Sequence, residues 1–400
     1  MRQLRIPATF MRGGTSNAVV FRQSDLPEDR ALWDEIFLAA LGSPDPNGRQ
    51  LDGMGGGISS LSKVCVVGPP SRSDADIDYT FAQIGVREAT VGYAANCGNM
   101  SSAMGPFAVD EGMVRVDGDR ALVRIHNTNT KKIIHAHFAL DDGRAAVDGD
   151  HVLSGVAGTG SPVRLEFREP GGAATGKLLP TGSALDVLDV PGVGEVEASM
   201  VDAANPAVFV AASAVGLSGS ELPADIDAMT EVMARLDVIR RHAAVRMGIA
   251  ERPEDAPRVI PMVAIVGPAQ AARTLAGETL AAADGDVTVR MLSSGNTHRA
   301  LPLTGSICTT VAARIEGSLV HRYTRPTDRP EGDLAIMQPS GILTVAAKVV
   351  RRDGTWFAEH GATYRTQRRL FDGNVYLPAS RVPGLVAAMA GGEAVRLAMA

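Results

Sequence analysis

The chain has 400 residues, 45% of them apolar and 21% charged, with a formal net charge of −6. That length exceeds what one hydrophobic core usually organises and points to two domains. The acidic balance argues against a nucleic-acid partner, and aromatic residues, at 4%, are too few for a base-stacking platform.

The first segment, "MRQLRIPATFMRGGTSN", carries no apolar signal core and reads as a strand, so no leader is expected. Its loop, residues 12–17, offers backbone amides beside Ser16 and Asn17, and both anion binding and an ordinary turn are open there. Residues 28–41, "EDRALWDEIFLAAL", predict a helix opened by acidic residues and closed by Gly42. The glycine-rich stretch 52–63, "DGMGGGISSLSK", lacks G-x-G-x-x-G spacing and runs into a strand, "KVCVVG", which argues against a dinucleotide-binding turn. Lys63 heads that strand. It is either a lysine whose amine reaches water or an amine desolvated beside the loop and suited to proton transfer. Further strands, alternating or β-branched, are predicted over 76–86, 121–130 and 163–169.

Cys97 stands at the foot of a short helix of small residues, 97–108. A thiol there meets the positive end of the helix dipole, and the amides of Gly98, Asn99 and Met100 favour its thiolate. The same amides would hold a carboxylate or an enolate oxygen. A buried, inert thiol is the other reading, and it suits Cys65 in mid-strand and Cys308. Three cysteines with no CxxC or HxxxH spacing fit a reducing compartment, with neither a disulfide framework nor a metal site expected.

Residues 171–177, "GGAATGK", match a P-loop only in part: Leu178 stands where the magnesium-binding hydroxyl belongs, and Pro180 stops the helix such a loop requires. Beyond them the pattern recurs in outline. Strands are predicted over 208–212, 258–266 and 287–292, and a long helix with a solvated face over 223–247. A second small-residue helix, "TGSICTTVAAR", follows over 304–314. Small side chains all round a helix imply close packing on every side, so each half is expected to sheathe one helix in a curved sheet. No apolar run approaches the roughly 20 residues that span a bilayer, and a cytoplasmic protein is expected.

In this order, "MRGGTSN", "GSPDPNGRQLDGMGGGISSLSKV", "NCGNMSSAMGPFAVDEG", "VRIHNTNT", "LLPTG", "RMG" and "QPSG" resemble the PrpF family over nearly the whole chain. That family comprises 2-methylaconitate cis–trans isomerases, 4-oxalomesaconate tautomerases and methylitaconate Δ-isomerases. The resemblance implies an α+β, diaminopimelate epimerase-like fold of two pseudo-symmetric domains with the active site between them. The expected domains are 1–185, carrying Lys63 and Cys97, and 186–400, whose last strand is free to pack back on the first. The resemblance also implies that Lys63 and Cys97 are the proton-transfer pair. Substrate contacts would come from Ser16, Asn17, Gly98, Asn99 and Met100 in one half and His298, Gly305 and Ser306 in the other. His298 and Arg299 would add positive charge, or else lie in a surface loop. Related epimerases place a cysteine at the foot of each central helix, whereas Thr304 stands at the second foot here. That favours a 1,3-allylic proton shift over racemisation.

The expected protein is therefore a cofactor-independent isomerase of a small unsaturated di- or tricarboxylate such as 2-methylaconitate, aconitate or 4-oxalomesaconate. Neither a metal, an organic cofactor, a nucleic acid nor a membrane is implied, and a homodimer is compatible with the sequence. Two alternatives stand beside it. A cysteine hydrolase would need a histidine tied to Cys97, and no motif supplies one. A non-catalytic binder of organic acids would favour arginine over a lone thiol.

Overall fold

The structure, a computed structural model, describes residues 3–94, 96–327 and 331–390. The chain divides into two compact units, one running to Leu165 and resuming at Tyr364, the other Glu166–Thr363. The division thus falls 20 residues before the expected 185/186 boundary. The intervening loop is bonded into the second unit, where the amides of Ala174 and Thr175 donate to Asp202 at 2.8 and 2.7 Å. The outermost residues of the expected domains, 1–2 and 391–400, lie outside the described residues.

In the first unit, β1 (Gln3–Gly13) and β2 (Ser16–Arg22) form a hairpin that ends on the pair Gly13↔Ser16. β3 (Lys63–Gly68) joins β2 in parallel, and β4 (Ile77–Ile84) runs antiparallel to β3. β5 (Arg120–Asn127) and β6 (Lys132–Asp141) continue the sheet beyond β4. On the other side of the hairpin, the last strand, Gln367–Pro378, pairs with β1 along its whole length, from Gln3↔Pro378 to Gly13↔Gln367. All six residues of β3 are buried, because helices cover both of its faces and the run is apolar without alternation.

α1 (Trp33–Leu41) covers one face, with Trp33, Ile36 and Phe37 packed in one core with Val64, Val66 and Ala82. A single 3₁₀ turn, Arg30–Leu32, capped by Asp29, precedes it, which is why the helix begins later than its acidic residues suggest. Gly42 closes it in the left-handed region, φ 73°. α2 (Gly98–Asp110) lies on the other face, and every residue from Met100 to Val109 is buried. Small residues make this possible: a Cβ on Gly105 would lie 3.0 Å from Ala136 and 3.1 Å from Phe138.

The second unit repeats the plan. β7 (Gly194–Ala203) and β8 (Asn205–Ala211) are antiparallel, β9 (Met262–Pro268) joins β8 in parallel, and β10 (Val287–Ser293) is antiparallel to β9. Its central helix runs Leu303–Ala313, buried from Gly305 to Ala313. The single helix predicted over 223–247 is two, Pro223–Ala228 and Thr230–Arg246, broken at Met229, whose ψ of 77° leaves the helical region. Asp227 accepts from the amide of Thr297 at 2.9 Å and pins the shorter piece elsewhere. No helix among the described residues is long and apolar enough to cross a membrane.

Candidate active site

Cys97 is the N-cap residue of α2, in extended conformation at φ −102°, ψ 97°. The first intrahelical bond is donated by Ser101 to the Cys97 carbonyl at 2.9 Å. The amides of Gly98, Asn99 and Met100 precede that bond and face the end of the helix, where the backbone dipole is positive. Cys97 is partly exposed, unlike Cys65 and Cys308, which are buried. Burial holds both of those thiols neutral, far above the ordinary cysteine range, and Cys308 donates to the Val201 carbonyl at 3.3 Å. They pack. Cys97 does not.

The "HNTNT" segment at the end of β5 fixes this helix foot. Asn127 donates to the side chain of Asn96 at 3.3 Å. Asn129 bonds both backbone groups of Phe81, at 2.8 and 2.9 Å, and the carbonyl of Tyr93 at 2.8 Å. Two side-chain amides thus clamp the segment leading to Cys97 against β4.

Lys63 starts β3 and is only 7% exposed. Its amine donates to Gln83 Oε1 at 2.5 Å and lies 5.1 Å from the centre of the Phe81 ring. Gln83 sits directly across the β3–β4 ladder, and Phe81 is opposite Cys65. Phe81, whose ring the amine faces, is bonded by the same Asn129 that holds Tyr93, so Lys63 and the segment leading to Cys97 share one corner of the first unit. The glycine-rich loop before Lys63 closes on protein. Gln50, fully buried, donates to Ser43 and Ser62 at 2.8 and 2.7 Å and accepts from the Gly57 amide at 3.0 Å. A Cβ on Gly55 would lie 2.3 Å from the Gln50 side chain. Gly55 makes room for Gln50, which bonds Ser62, the residue before β3.

The 12–17 loop rests on the helix foot. Gly14, at φ 52°, lies so close to Asn99 that a Cβ would come within 2.4 Å of its Oδ1. Asn99 donates to Thr15 Oγ1 at 3.1 Å and accepts from Arg365 Nε at 3.0 Å. Arg365 is 7% exposed. Loss of water pulls its guanidinium down to about 10, partly offset by the Cys97 thiol. Arg12 and the Gly14 amide both bond Thr366, which ties the loop to the returning C-terminal segment. Ser16 is buried and Asn17 partly so, opposite Gly13 and Arg12 in the hairpin.

His298, Gly305 and Ser306 belong to the second unit, near the start of its central helix. Burial lowers the His298 pKa, which disfavours the charged ring that is one of its two sequence readings. Its Nε2 shares a hydrogen bond with Ser293 at 2.7 Å. The Ser306 hydroxyl donates to the Leu303 carbonyl at 2.7 Å, and a Cβ on Gly305 would lie 2.3 Å from the Met291 sulfur. Close packing alone accounts for that glycine. The P-loop-like stretch wraps the Asp202 carboxylate, with Thr175 Oγ1 adding a bond at 2.9 Å. An acidic centre is the opposite of a phosphate cradle.

Neither Gln83 nor Arg365 is singled out by sequence. Gln83 stands out only once the β3–β4 register is known, and Arg365 lies 268 residues beyond Cys97.

The profile of the PrpF family, described as PrpF protein, matches residues 3–378. The chain belongs to the PrpF family. Among PrpF-family relatives, a 3-methylitaconate isomerase of Eubacterium barkeri is 39% identical over 384 residues, covering 95% of this chain and 99% of the relative. A 2-methyl-aconitate isomerase of Shewanella oneidensis is 36% identical over 391 residues, covering 94% and 98%. The crystal structure of a methylitaconate-delta-isomerase superposes with a TM-score of 0.90 at 38% identity, over 96% of this chain and 98% of the other. The expected α+β fold with two compact units is present, and it is the fold of that isomerase.

Proposed function

We propose that this PrpF-family isomerase catalyses a 1,3-allylic proton shift on a small unsaturated di- or tricarboxylate, with Lys63 as base and Cys97 as proton donor. The observation that carries the reading is the pairing, in one unit, of a buried amine with a neutral partner and a thiol at a helix N-terminus. The relatives' names supply the substrate class: 3-methylitaconate and 2-methylaconitate are unsaturated acids whose isomers differ by the position or geometry of a double bond.

A proton on carbon next to C=C–COO⁻ is weakly acidic because its removal delocalises charge onto the carboxylate. Fixed donors aimed at that oxygen stabilise the dienolate better than water, which must reorganise to do so. The amides of Gly98, Asn99 and Met100 are such donors, and Arg365 adds a cation beside Cys97. Lys63 takes the proton from one allylic carbon, the π electrons shift, and Cys97 delivers a proton to the other. Such positioned acid–base transfer supplies about 10²–10⁴ in rate. The test is a proton NMR time course in D₂O with 2-methylaconitate, 3-methylitaconate, aconitate and 4-oxalomesaconate. Isomerisation with deuterium entering at the allylic carbons is expected for at least one of them. Hydrolysis of a thioester or ester, with all four acids untouched, would overturn the reading.

A further inference from the structure

We propose that Gln83 is a positioning residue for the Lys63 amine, built as an amide so that the lysine keeps a hydrogen-bond partner in both of its protonation states. The inference rests on the reading of Lys63 as the proton-transfer base. Gln83 Nε2 donates to the carbonyls of Ser59 and Ser62, at 3.0 and 2.9 Å. Carbonyls only accept, so these two bonds fix the amide with its nitrogen toward the loop and its oxygen toward Lys63. The Lys63 Nζ to Gln83 Oε1 distance is 2.5 Å. Ser62 is itself held, its hydroxyl donating to the Ile84 carbonyl at 3.0 Å and accepting from Gln50 at 2.7 Å. The acceptor facing the amine therefore cannot turn away.

A neutral acceptor suits a group that must change charge. Both –NH₃⁺ and –NH₂ can donate one hydrogen to it, so loss of a proton does not break the contact. A carboxylate in the same place would tie the ammonium into an ion pair and resist its deprotonation. It would also meet the two loop carbonyls with no hydrogen to offer. The other titratable groups felt at this corner are the Cys65 and Cys97 thiols, the Tyr79 phenol and the Arg365 guanidinium. Burial keeps Cys65 and Tyr79 neutral at pH 7. Gln83 is thus the side chain whose charge can be changed with least disturbance to shape.

The test compares the full chain as wild type, Gln83→Glu, Gln83→Leu and Lys63→Met. The first readout needs no substrate: trinitrobenzenesulfonate, which attacks free amines, is reacted over a pH series and labelling at Lys63 is followed by peptide mass spectrometry. Gln83→Glu should move the half-labelling point up by about one pH unit or more, a ~10-fold slowing at fixed pH. The Lys63-dependent limb of the kcat/KM profile, measured on whichever of 3-methylitaconate or 2-methylaconitate turns over, should move the same way. Gln83→Leu should lower kcat by about 10–100-fold with little change in KM, because the amine loses its aim. An unmoved labelling midpoint in Gln83→Glu, or wild-type kcat in Gln83→Leu, overturns the proposal even where Lys63→Met is inactive. Should Lys63→Met still turn over, it is the parent reading of Lys63 that fails. Gln83→Leu keeps the test open if the charged variant does not fold.

Discussion

Cys97 can be separated from its two fellow cysteines by substitution. Cys97→Ser leaves a hydroxyl that does not ionise near neutral pH, so turnover should fall by about 10²–10⁴ while the circular dichroism spectrum stays unchanged. Cys65→Ser and Cys308→Ser should keep kcat and lower Tm instead, since each buries a hydroxyl in an apolar site at a cost of about 1–3 kcal/mol. Residual activity above about a tenth in Cys97→Ser would end its acid–base role. Arg365 belongs to the same scale. Arg365→Met removes the cation beside Cys97 and the donor to Asn99 Oδ1. Turnover should drop by about 10²–10³, the range for losing one donor to a developing oxyanion. Arg365→Lys should recover part of it, because the charge returns without the fork that reaches Asn99. Steady-state kinetics on the three proteins decides the order. Local context left Lys63 and Cys97 each with an inert reading open, and it was the resemblance to the PrpF family that implied them as a pair. Gln83 and Arg365 were not legible, because each matters only for what lies across a ladder or across 268 residues from it.

Among the elements, the two central helices read well because small residues on every side leave no amphipathic alternative, and both are buried beyond their first two residues almost to their ends. Gly105 shows how little room remains around α2. Gly105→Leu would drive a side chain into Ala136 and Phe138, and overpacking of this kind costs about 1–3 kcal/mol. Thermal denaturation should show a Tm several degrees lower, and because the helix foot moves with the helix, kcat should fall with it. β3 was read from its Gly boundary and its β-branched run, and its limits coincide with those of the strand. Three long strands near the C-terminus, Gly341–Arg352, Thr355–Arg365 and Gln367–Pro378, escaped that method. The last of these is mostly exposed. It is held by its backbone ladder to β1 more than by any apolar face, so periodicity had nothing to detect. The break at Met229 was hidden for a related reason, since neither Gly nor Pro marks it.

Whole-molecule stability should fall in acid, and the sign follows from which groups the fold keeps deprotonated. Burial pushes the Asp76 carboxyl up, but side-chain and backbone bonds from Arg124 more than reverse it. At Asp78 burial is likewise outweighed by bonds from Ser71 and His126, and at Asp237 by Arg240 and Arg241. Burial lowers His298, and burial with the nearby Arg365 lowers His151. In every case the unfolded chain binds the proton more readily, so stability rises with pH across the window between the two states. The histidine contribution is complete above about 6.5 and declines below it, and the carboxylate contribution is complete above about 4 and declines below that. Tm measured from neutral pH down to about 3 should decline in those two stages. A flat profile would contradict the native hydrogen bonds described for these groups.

The ladder between the first strand and the last has a consequence for how the protein is made. A ribosome delivers Lys63 and Cys97 early, yet the strand that completes β1 is among the last segments to emerge. At about 5–20 residues per second, the interval between Cys97 and Arg365 is roughly 10 s to 1 min. For most of it, from Glu166 to Thr363, the second unit is being supplied as one continuous segment, while the first waits for its closing strand. The nascent chain therefore carries its most accessible thiol in an unfinished sheet with an open edge. Pulse-labelling of ribosome-bound chains with a thiol reagent should find Cys97 more reactive in chains stalled before residue 365 than in those released after residue 378.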